Sequence, residues 1–272
     1  MKEKISLAGD LGSGKSTVSD ILIKRLDAEY YSTGKIVRAV AEKRGMTVVE
    51  LNKYMETHPE LDKEIDDGLV ELSKVDRRLI IDSRMAWHFT EGTFKVYLSV
   101  DIETSALRIM GANRKGEHAA SLEETVRDTK ARRESEKKRY LEQYGVDIKD
   151  LTNYDLIVDT TVATPEEVSE CIAESFETWL RDKSFSKAYI STERLNFPDE
   201  ELNAELIASL AARLEAGEEI PFAEIVLHDG EFYVVSGAES AMAHTFSFAP
   251  FIPAKLVKGE PSGKFVKMRN SL

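Results

Sequence analysis

The residues best suited to chemistry lie near the start of the chain, in the string GDLGSGKS. Glycines let the backbone turn so that successive N–H groups point into one concavity, which can hold a polyphosphate. Lys15 would neutralise the outer phosphates, and the Ser16 hydroxyl would bind a Mg²⁺ ion that bridges them. The string matches GxxxxGK[ST] and lies between the strand-like run Ile5 to Ala8 and an amphipathic helical stretch. We therefore predict a site for ATP here, in preference to a glycine-rich turn that binds no ligand. The predicted ATP contacts in this loop are Gly9, Asp10, Leu11, Gly12, Ser13, Gly14, Lys15, Ser16 and Thr17.

A second candidate site follows the next strand-like run, where Ser32, Thr33 and Gly34 precede a helical pattern. The first turn of a helix can hold an anion, and Arg38 lies one turn in, where its forked guanidinium could reach back to the same anion. A helix cap followed by a surface arginine would explain the same residues equally well.

The buried run Leu79 to Asp82 ends in an acid and is followed closely by a base, Arg84. An aspartate at this point can hold a Mg²⁺-bound water opposite Ser16, and Arg84 would enter the same cleft. Ser16 and Asp82 are therefore the predicted metal-binding residues. The competing interpretation is an apolar strand that simply terminates in polar residues.

The stretch from Arg108 to Arg139 is basic although the chain as a whole is acidic. Around Arg114 it resembles a mobile loop between two helices, and Arg132 lies in the second of these helices. Arg133 shares a helical face with apolar residues, which places it on the inward side, where an arginine needs an anionic partner. We expect that partner to be a phosphate, with an internal ion pair as the alternative.

Five short apolar runs alternate with helical patterns over the first 182 residues, which predicts parallel βαβ units in an α/β sheet. Ligand sites are then expected at the carboxyl ends of the strands. The strands are predicted at Ile5 to Ala8, Glu29 to Ser32, Leu79 to Asp82, Phe94 to Val100 and Tyr154 to Asp159. The predicted helices start near Lys15, Gly34, Val48, Ile102, Leu122 and Pro165.

After a polar boundary at 182–186, residues 187–272 are predicted to form a small α+β domain. Its expected order is a strand from Ala188, a helix from Pro198 to Ala216, a hairpin turning at Asp229-Gly230, a short helix and a last strand. From Lys255 on, a basic solvated tail is expected.

The composition limits the possible functions. Net charge is −12, from 37 basic and 49 acidic residues, and such a chain repels nucleic acid unless its basic residues cluster. Nucleic acid is therefore an unexpected partner. The lone cysteine, Cys171, cannot form an internal disulfide, which favours a cytoplasmic location. No stretch resembles a signal peptide or a membrane span.

Taken in order, these motifs resemble the cytidylate kinase-like branch of the P-loop nucleoside monophosphate kinases over about residues 3–175. The stretches that carry the resemblance are GDLGSGKS, STG with Arg38, GM at 45–46, PELD at 59–62, DSR at 82–84, RRESE at 132–136 with RY at 139–140, and YGVD at 144–147 through NYDLIVDT at 153–160.

The resemblance implies a P-loop fold with a five-stranded parallel sheet, a helical acceptor-binding segment near 34–75 and an arginine-bearing lid near 110–140. It implies that Arg108 or Arg114 faces ATP. It also implies catalytic roles for Lys15, Arg84 and Arg133. The implied acceptor-binding residues are Ser32, Thr33, Gly34, Arg38, Arg84, Arg132 and Arg133.

The predicted activity is transfer of a phosphoryl group from ATP to a nucleoside monophosphate, CMP or dCMP above others. The chain lacks an NKxD-like string for reading guanine, which argues against a GTPase. Two alternatives stay open: a kinase for UMP or another phosphorylated acceptor, and a non-enzymatic ATP-sensing switch that signals through the C-terminal domain. That domain faintly resembles the ParB-like and sulfiredoxin fold, but Ala238-Glu239-Ser240 stands where those relatives hold phosphate. We expect a regulatory or interaction role for it.

Overall fold

The computed structural model describes residues 3–112, 121–246 and 250–267. Helices and strands alternate through most of this range. The strands are β1 Lys4–Gly9, β2 Glu29–Ser32, β3 Leu79–Asp82, β4 Thr93–Ser99, β5 Leu156–Asp159, β6 Lys187–Ile190, β7 Leu195–Pro198, β8 Ala223–His228, β9 Glu231–Ser236, β10 Ile252–Leu256 and β11 Phe265–Lys267. The helices are α1 Lys15–Leu26, α2 Thr33–Arg44, α3 Val48–Met55, α4 Pro59–Leu72, α5 Ala86–Phe89, α6 Ile102–Gly111, α7 Leu122–Tyr144, α8 Pro165–Arg181, α9 Ala204–Glu215 and α10 Ala238–Thr245.

The strands of the described residues join in one sheet, in the order β11-β7-β9-β8-β10-β6-β5-β4-β1-β3-β2. From β2 to β6 every neighbouring pair is parallel. The predicted parallel α/β fold is therefore confirmed, and the five predicted strands lie side by side as β5-β4-β1-β3-β2. Their carboxyl ends meet at one edge, which is where ligands bind in sheets of this type.

The core lies on both faces of this sheet because successive side chains of a strand point to opposite sides. Ile5 and Leu7 of β1 pack on one face with Val18 of α1 and Ile172 of α8. Ile81 of β3 packs on the other face, in a cluster that continues along the sheet beyond β6. The strands read as continuous apolar runs because helices cover both faces.

Two expectations for the C-terminal part are wrong in detail. The helix predicted from Pro198 begins at Ala204, and residues 195–198 form β7 instead. The tail predicted from Lys255 is partly ordered, since β11 pairs antiparallel with β7. Strand β6 joins this part to the sheet by pairing parallel with β5, and β10 pairs antiparallel with the other edge of β6. The division into domains at 182–187 stays a prediction.

Candidate active site

The loop between β1 and α1 is shaped by glycines in backbone conformations that other residues rarely adopt. Gly12 has φ +73°, and a Cβ there would lie 2.6 Å from the carbonyl oxygen of Ser105 on α6. Gly14 caps α1 in the left-handed conformation. The loop therefore presses against α6 while it turns toward the start of α1, as a phosphate-binding loop must.

Lys15 lies over this loop and is half-buried. Its Nζ donates hydrogen bonds to the carbonyl oxygens of Gly9 and Asp10, at 3.0 and 2.8 Å. Burial, helped by the positive charge of Arg84, lowers the pKa of Lys15 to about 7. A polyphosphate in the loop would oppose this shift, because an adjacent anion favours the ammonium form.

The side chain of Asp10 turns away from the loop's concavity and anchors the loop to the protein. Its carboxylate accepts hydrogen bonds from Lys149 Nζ at 2.7 Å, Tyr97 Oη at 2.8 Å and the backbone N–H of Val100 at 3.2 Å. Burial alone would raise the pKa of Asp10, but Lys149 and Arg133 hold it well below its usual value. Any contact of residue 10 with ATP would therefore come from its backbone. Sequence reasoning missed Lys149, whose partner lies far away along the chain.

The carboxyl ends of β2 and β3 bring the second group of predicted residues together. Ser32 caps α2 by accepting a hydrogen bond from the Lys35 N–H at 3.3 Å. The Thr33 hydroxyl donates to the carbonyl oxygen of Asp82 at 3.4 Å, and Tyr30 Oη donates to its carboxylate at 2.8 Å. Tyr30, Thr33 and Asp82 border one cavity together with Ser16 and Arg38.

The oxygen atoms in this cavity suit the predicted cation. Ser16 contributes a hydroxyl and Asp82 a carboxylate, and both border the same space beside the loop. Mg²⁺ prefers such oxygen ligands and takes most of its remaining coordination from phosphates and water. The residues present therefore fit a Mg²⁺ ion that arrives with ATP.

Two of the predicted acceptor-binding arginines, Arg84 and Arg132, contact one acid that sequence reasoning did not assign. Glu136 of α7 accepts from Arg84 Nε at 2.8 Å and from Arg132 Nε at 3.2 Å. Arg84 also donates to the carbonyl oxygen of Gly9. Burial would raise the pKa of Glu136, but the two arginines lower it to about 2. Residues 132 and 136 are four apart on a helix, a spacing that could have indicated this pair.

Arg133 is inward-facing as predicted, and its neighbours are protein groups. Its guanidinium lies 3.7 Å from the Asp10 carboxylate and 3.5 Å from the Ser105 hydroxyl. It borders a small cavity behind the loop, next to Tyr97 and Lys149. The structure thus places an internal ion pair here, which was the alternative, and the role of Arg133 toward phosphate stays a prediction.

A third cavity opens on the other side of the loop from the first, between Thr17 of α1, α6 and the residues that follow β5. Arg108 of α6 borders it and donates to the carbonyl oxygen of Thr160 at 2.7 Å. That Arg108 faces ATP stays a prediction. Arg114 lies outside the described residues.

The far wall of the first cavity holds charged groups that sequence reasoning did not assign. Arg139 Nε lies 2.7 Å from the Asp62 carboxylate, and both are buried. Arg139 also donates to the carbonyl oxygen of Asn52 at 3.1 Å. Burial raises the pKa of Asp62 to about 6, against the opposing charge of Arg139, and raises that of Asp66 to about 7. The spacing of residues 62 and 66 on one face of α4 was the available signal.

These features define a P-loop kinase: a glycine-rich loop after the first strand, a converging set of arginines, and a cavity on each side of the loop. A profile of the cytidylate kinase-like family matches residues 4–162. The chain belongs to this family. The prediction of a nucleoside monophosphate kinase is therefore confirmed at the level of enzyme class.

The similar proteins include two archaeal enzymes. Cytidylate kinase from Thermoplasma volcanium is 35% identical over 187 residues, which cover 67% of this chain and 96% of that protein. Cytidylate kinase from Sulfurisphaera tokodaii is 37% identical over 170 residues, or 62% of this chain and 92% of that protein. An S-adenosylmethionine-dependent nucleotide dehydratase from Lacinutrix mariniflava is 38% identical over 178 residues, which cover 65% of this chain and 36% of that protein.

Among solved structures, shikimate kinase from Bacteroides thetaiotaomicron aligns with a TM-score of 0.46 and 17% identity, covering 64% of this chain and 98% of that chain.

Within residues 3–112, 121–246 and 250–267, no helix combines the length and the apolar character needed to cross a bilayer.

Proposed function

We propose that the chain transfers the γ-phosphoryl group of ATP to CMP or dCMP and releases ADP and the cytidine diphosphate. The arrangement of two cavities on opposite sides of one phosphate-binding loop carries this proposal. ATP would lie with its nucleoside beside Arg108 and its phosphates in the loop. The acceptor would occupy the cavity lined by α2, α3, α4 and α7, with its phosphate toward the loop.

The chemistry then needs no protein base. The second pKa of a phosphate monoester is about 6, so the acceptor carries a nucleophilic dianion at neutral pH. Its oxygen bonds to the γ-phosphorus as the bond to the ADP oxygen breaks. The protein must hold two anions in line, exclude water and offset the charge on the transferring group.

The groups for that task surround the loop. Lys15 would contact the β- and γ-phosphates, while Arg84 and Arg132 would hold the acceptor phosphate in place of their contacts to Glu136. Mg²⁺ held at Ser16 and Asp82 would supply further charge neutralisation when ATP is bound. Arg38 and the residues 32–34 would contact the acceptor from α2, and Arg133 would act from behind the loop.

The preference for cytosine rests on the acids in the acceptor cavity. Cytosine carries an amino group where uracil carries a carbonyl oxygen. A carboxylate accepts a hydrogen bond from the amino group but repels the carbonyl oxygen. Asp62 is ionised at pH 7 because its pKa is about 6, and Asp66 becomes ionised above about pH 7. Both acids border the cavity together with Arg139, which could donate to the ring oxygen of cytosine.

The test is an ADP-release assay with CMP, dCMP, UMP, AMP and GMP as acceptors. We expect kcat/KM for CMP or dCMP to exceed the values for the others by about tenfold or more. Asp66→Asn should reduce the preference for CMP over UMP at pH 8. Asp67→Asn, one position on and exposed, is the matched control. A protein that binds ATP but transfers phosphoryl to none of these acceptors would support the ATP-sensing alternative.

The C-terminal residues 187–272 would have a regulatory or interaction role, as their sequence predicts. The family match stops at residue 162, so the faint resemblance to the ParB-like and sulfiredoxin fold stays a prediction. A kinase acting on UMP or on a phosphorylated non-nucleotide remains the second candidate, and the same acceptor panel separates it from a cytidylate kinase.

A further inference from the structure

One buried side chain from the C-terminal part reaches the carboxyl ends of the kinase strands. Arg194 lies in the short turn between β6 and β7 and is only 5% exposed. Its guanidinium donates to Ser99 Oγ of β4 at 2.7 Å and to Asp159 Oδ1 of β5 at 3.1 Å. It also donates to the carbonyl oxygen of Gly230, at 2.6 Å. The arginine therefore joins β4, β5 and the β8–β9 turn.

Its acidic partner is fully buried. Asp159 is 0% exposed and accepts, besides the arginine, the N–H of Ser191 at 3.1 Å and the hydroxyl of Thr161 at 2.6 Å. Burial raises the pKa of Asp159, and Arg194 opposes that effect. A buried carboxylate needs such a counterion, because an unpaired charge in the protein interior is very costly.

The residues that follow this acid form the wall of the cavity beside Arg108. Thr161 receives the backbone N–H of Asp101 at 3.2 Å, and Asp101 in turn caps α6 by accepting two of its first N–H groups. Arg108 of α6 is fixed to the carbonyl oxygen of Thr160. A chain of direct contacts therefore connects Asp159 to both sides of the cavity.

We infer that Arg194 is a positioning residue for the ATP site, supplied by the part of the chain that lies beyond the family match. It does not touch the nucleotide. It holds Asp159 in place, so that the loop 160–163 and the start of α6 keep the geometry in which Arg108 faces the nucleoside of ATP. The inference rests on the proposed assignment of this cavity to ATP.

The contacts favour this role over simple support of the C-terminal part. A guanidinium serving only the C-terminal part would be expected to bind groups of that part, whereas two of the three partners of Arg194 lie on β4 and β5. The family match ends at residue 162, so the arginine is not one of the matched positions. The C-terminal part then contributes to ATP binding by completing a buried ion pair.

The experiment compares Arg194→Met with Arg213→Met, in which a partly exposed arginine of the same C-terminal part is changed. ATP binding is measured by calorimetry, and KM for ATP and for the acceptor are measured separately. For Arg194→Met we expect Kd and KM for ATP to rise about tenfold, with KM for the acceptor within twofold of wild type. Arg213→Met should change neither value.

Two further variants keep the test decisive if Arg194→Met folds poorly. Asp159→Asn with Arg194→Met removes both charges and should recover ATP affinity to within about threefold of wild type, since no buried charge is left unpaired. Arg194→Lys keeps the positive charge but loses the forked guanidinium, so its ATP affinity should lie between those of wild type and Arg194→Met. Melting curves verify that each variant is folded.

Equal ATP affinity in the folded Arg194→Met and Arg213→Met variants would overturn the inference. So would an equal rise in KM for both substrates, which would indicate general loosening of the protein. Failure of the proposed function can be distinguished from failure of this inference, because the wild-type chain itself would then show no ATP binding or no phosphoryl transfer.

Discussion

Glu136 allows a quantitative test of the arrangement around the phosphate loop. The two arginines that contact it lower its pKa from the usual 4.5 to about 2. Above about pH 5 the ionised side chain therefore contributes about 3 kcal/mol to the free energy of unfolding, a contribution that is lost as pH falls from 4.5 toward 2. Glu136→Gln removes this charge and, with it, the ion pairs that Glu136 forms with Arg84 and Arg132.

At pH 7 we expect Glu136→Gln to lower the melting temperature by about 6 to 10 °C. Because an acceptor phosphate can replace the missing carboxylate between the arginines, saturating CMP should raise the melting temperature of the variant more than that of wild type. Scanning calorimetry with and without CMP measures both effects. Glu134→Gln is the matched control, since Glu134 is exposed on the same helix.

The reasoning is refuted if Glu136→Gln and Glu134→Gln melt at the same temperature. If Glu136→Gln is destabilised but CMP stabilises it no more than wild type, the ion pairs are purely structural. The assignment of Arg84 and Arg132 to the acceptor phosphate would then be wrong.

Three other outcomes are expected. Lys15→Ala should lower kcat by about a thousandfold without lowering the melting temperature, and retained turnover in the purified variant would rule out the loop as the catalytic site. ATP binding at pH 8 should take up a proton, seen by calorimetry in buffers of different ionisation enthalpy, because phosphates return Lys15 to its charged form from a pKa of about 7. Asp66→Asn should raise the melting temperature more at pH 8 than at pH 5, because burial raises the pKa of this acid from 3.8 to about 7 and the resulting destabilisation grows as pH rises between those two values; equal shifts at both pH values would contradict this.

The phosphate loop could be predicted because its function depends on one unbroken string and on its place between a strand and a helix. The parallel strands were predictable for a similar reason, since each is a local apolar run. Residues 32–34 and Asp82 also lie together as expected, because the ends of parallel neighbours meet at one edge of the sheet.

The partners of charged side chains were less predictable, since they come from distant segments. Nothing near Asp10 in the sequence indicates that Lys149 will bind it, and the inward direction of Arg133 did not reveal which anion it would meet. Strand β7 was missed because Pro198 suggested the start of a helix, whereas its residues pair with β9 and β11.

The unbroken sheet has a consequence for how the protein melts. Strand β6 satisfies the backbone of β5 on one side and carries β10 on the other, and one apolar cluster includes both Ile157 and Ile190. Heat should therefore disrupt the two parts of the chain in a single cooperative transition. A chain cut before residue 187 would leave the edge of β5 open for pairing with other molecules, so such a fragment should be prone to aggregate.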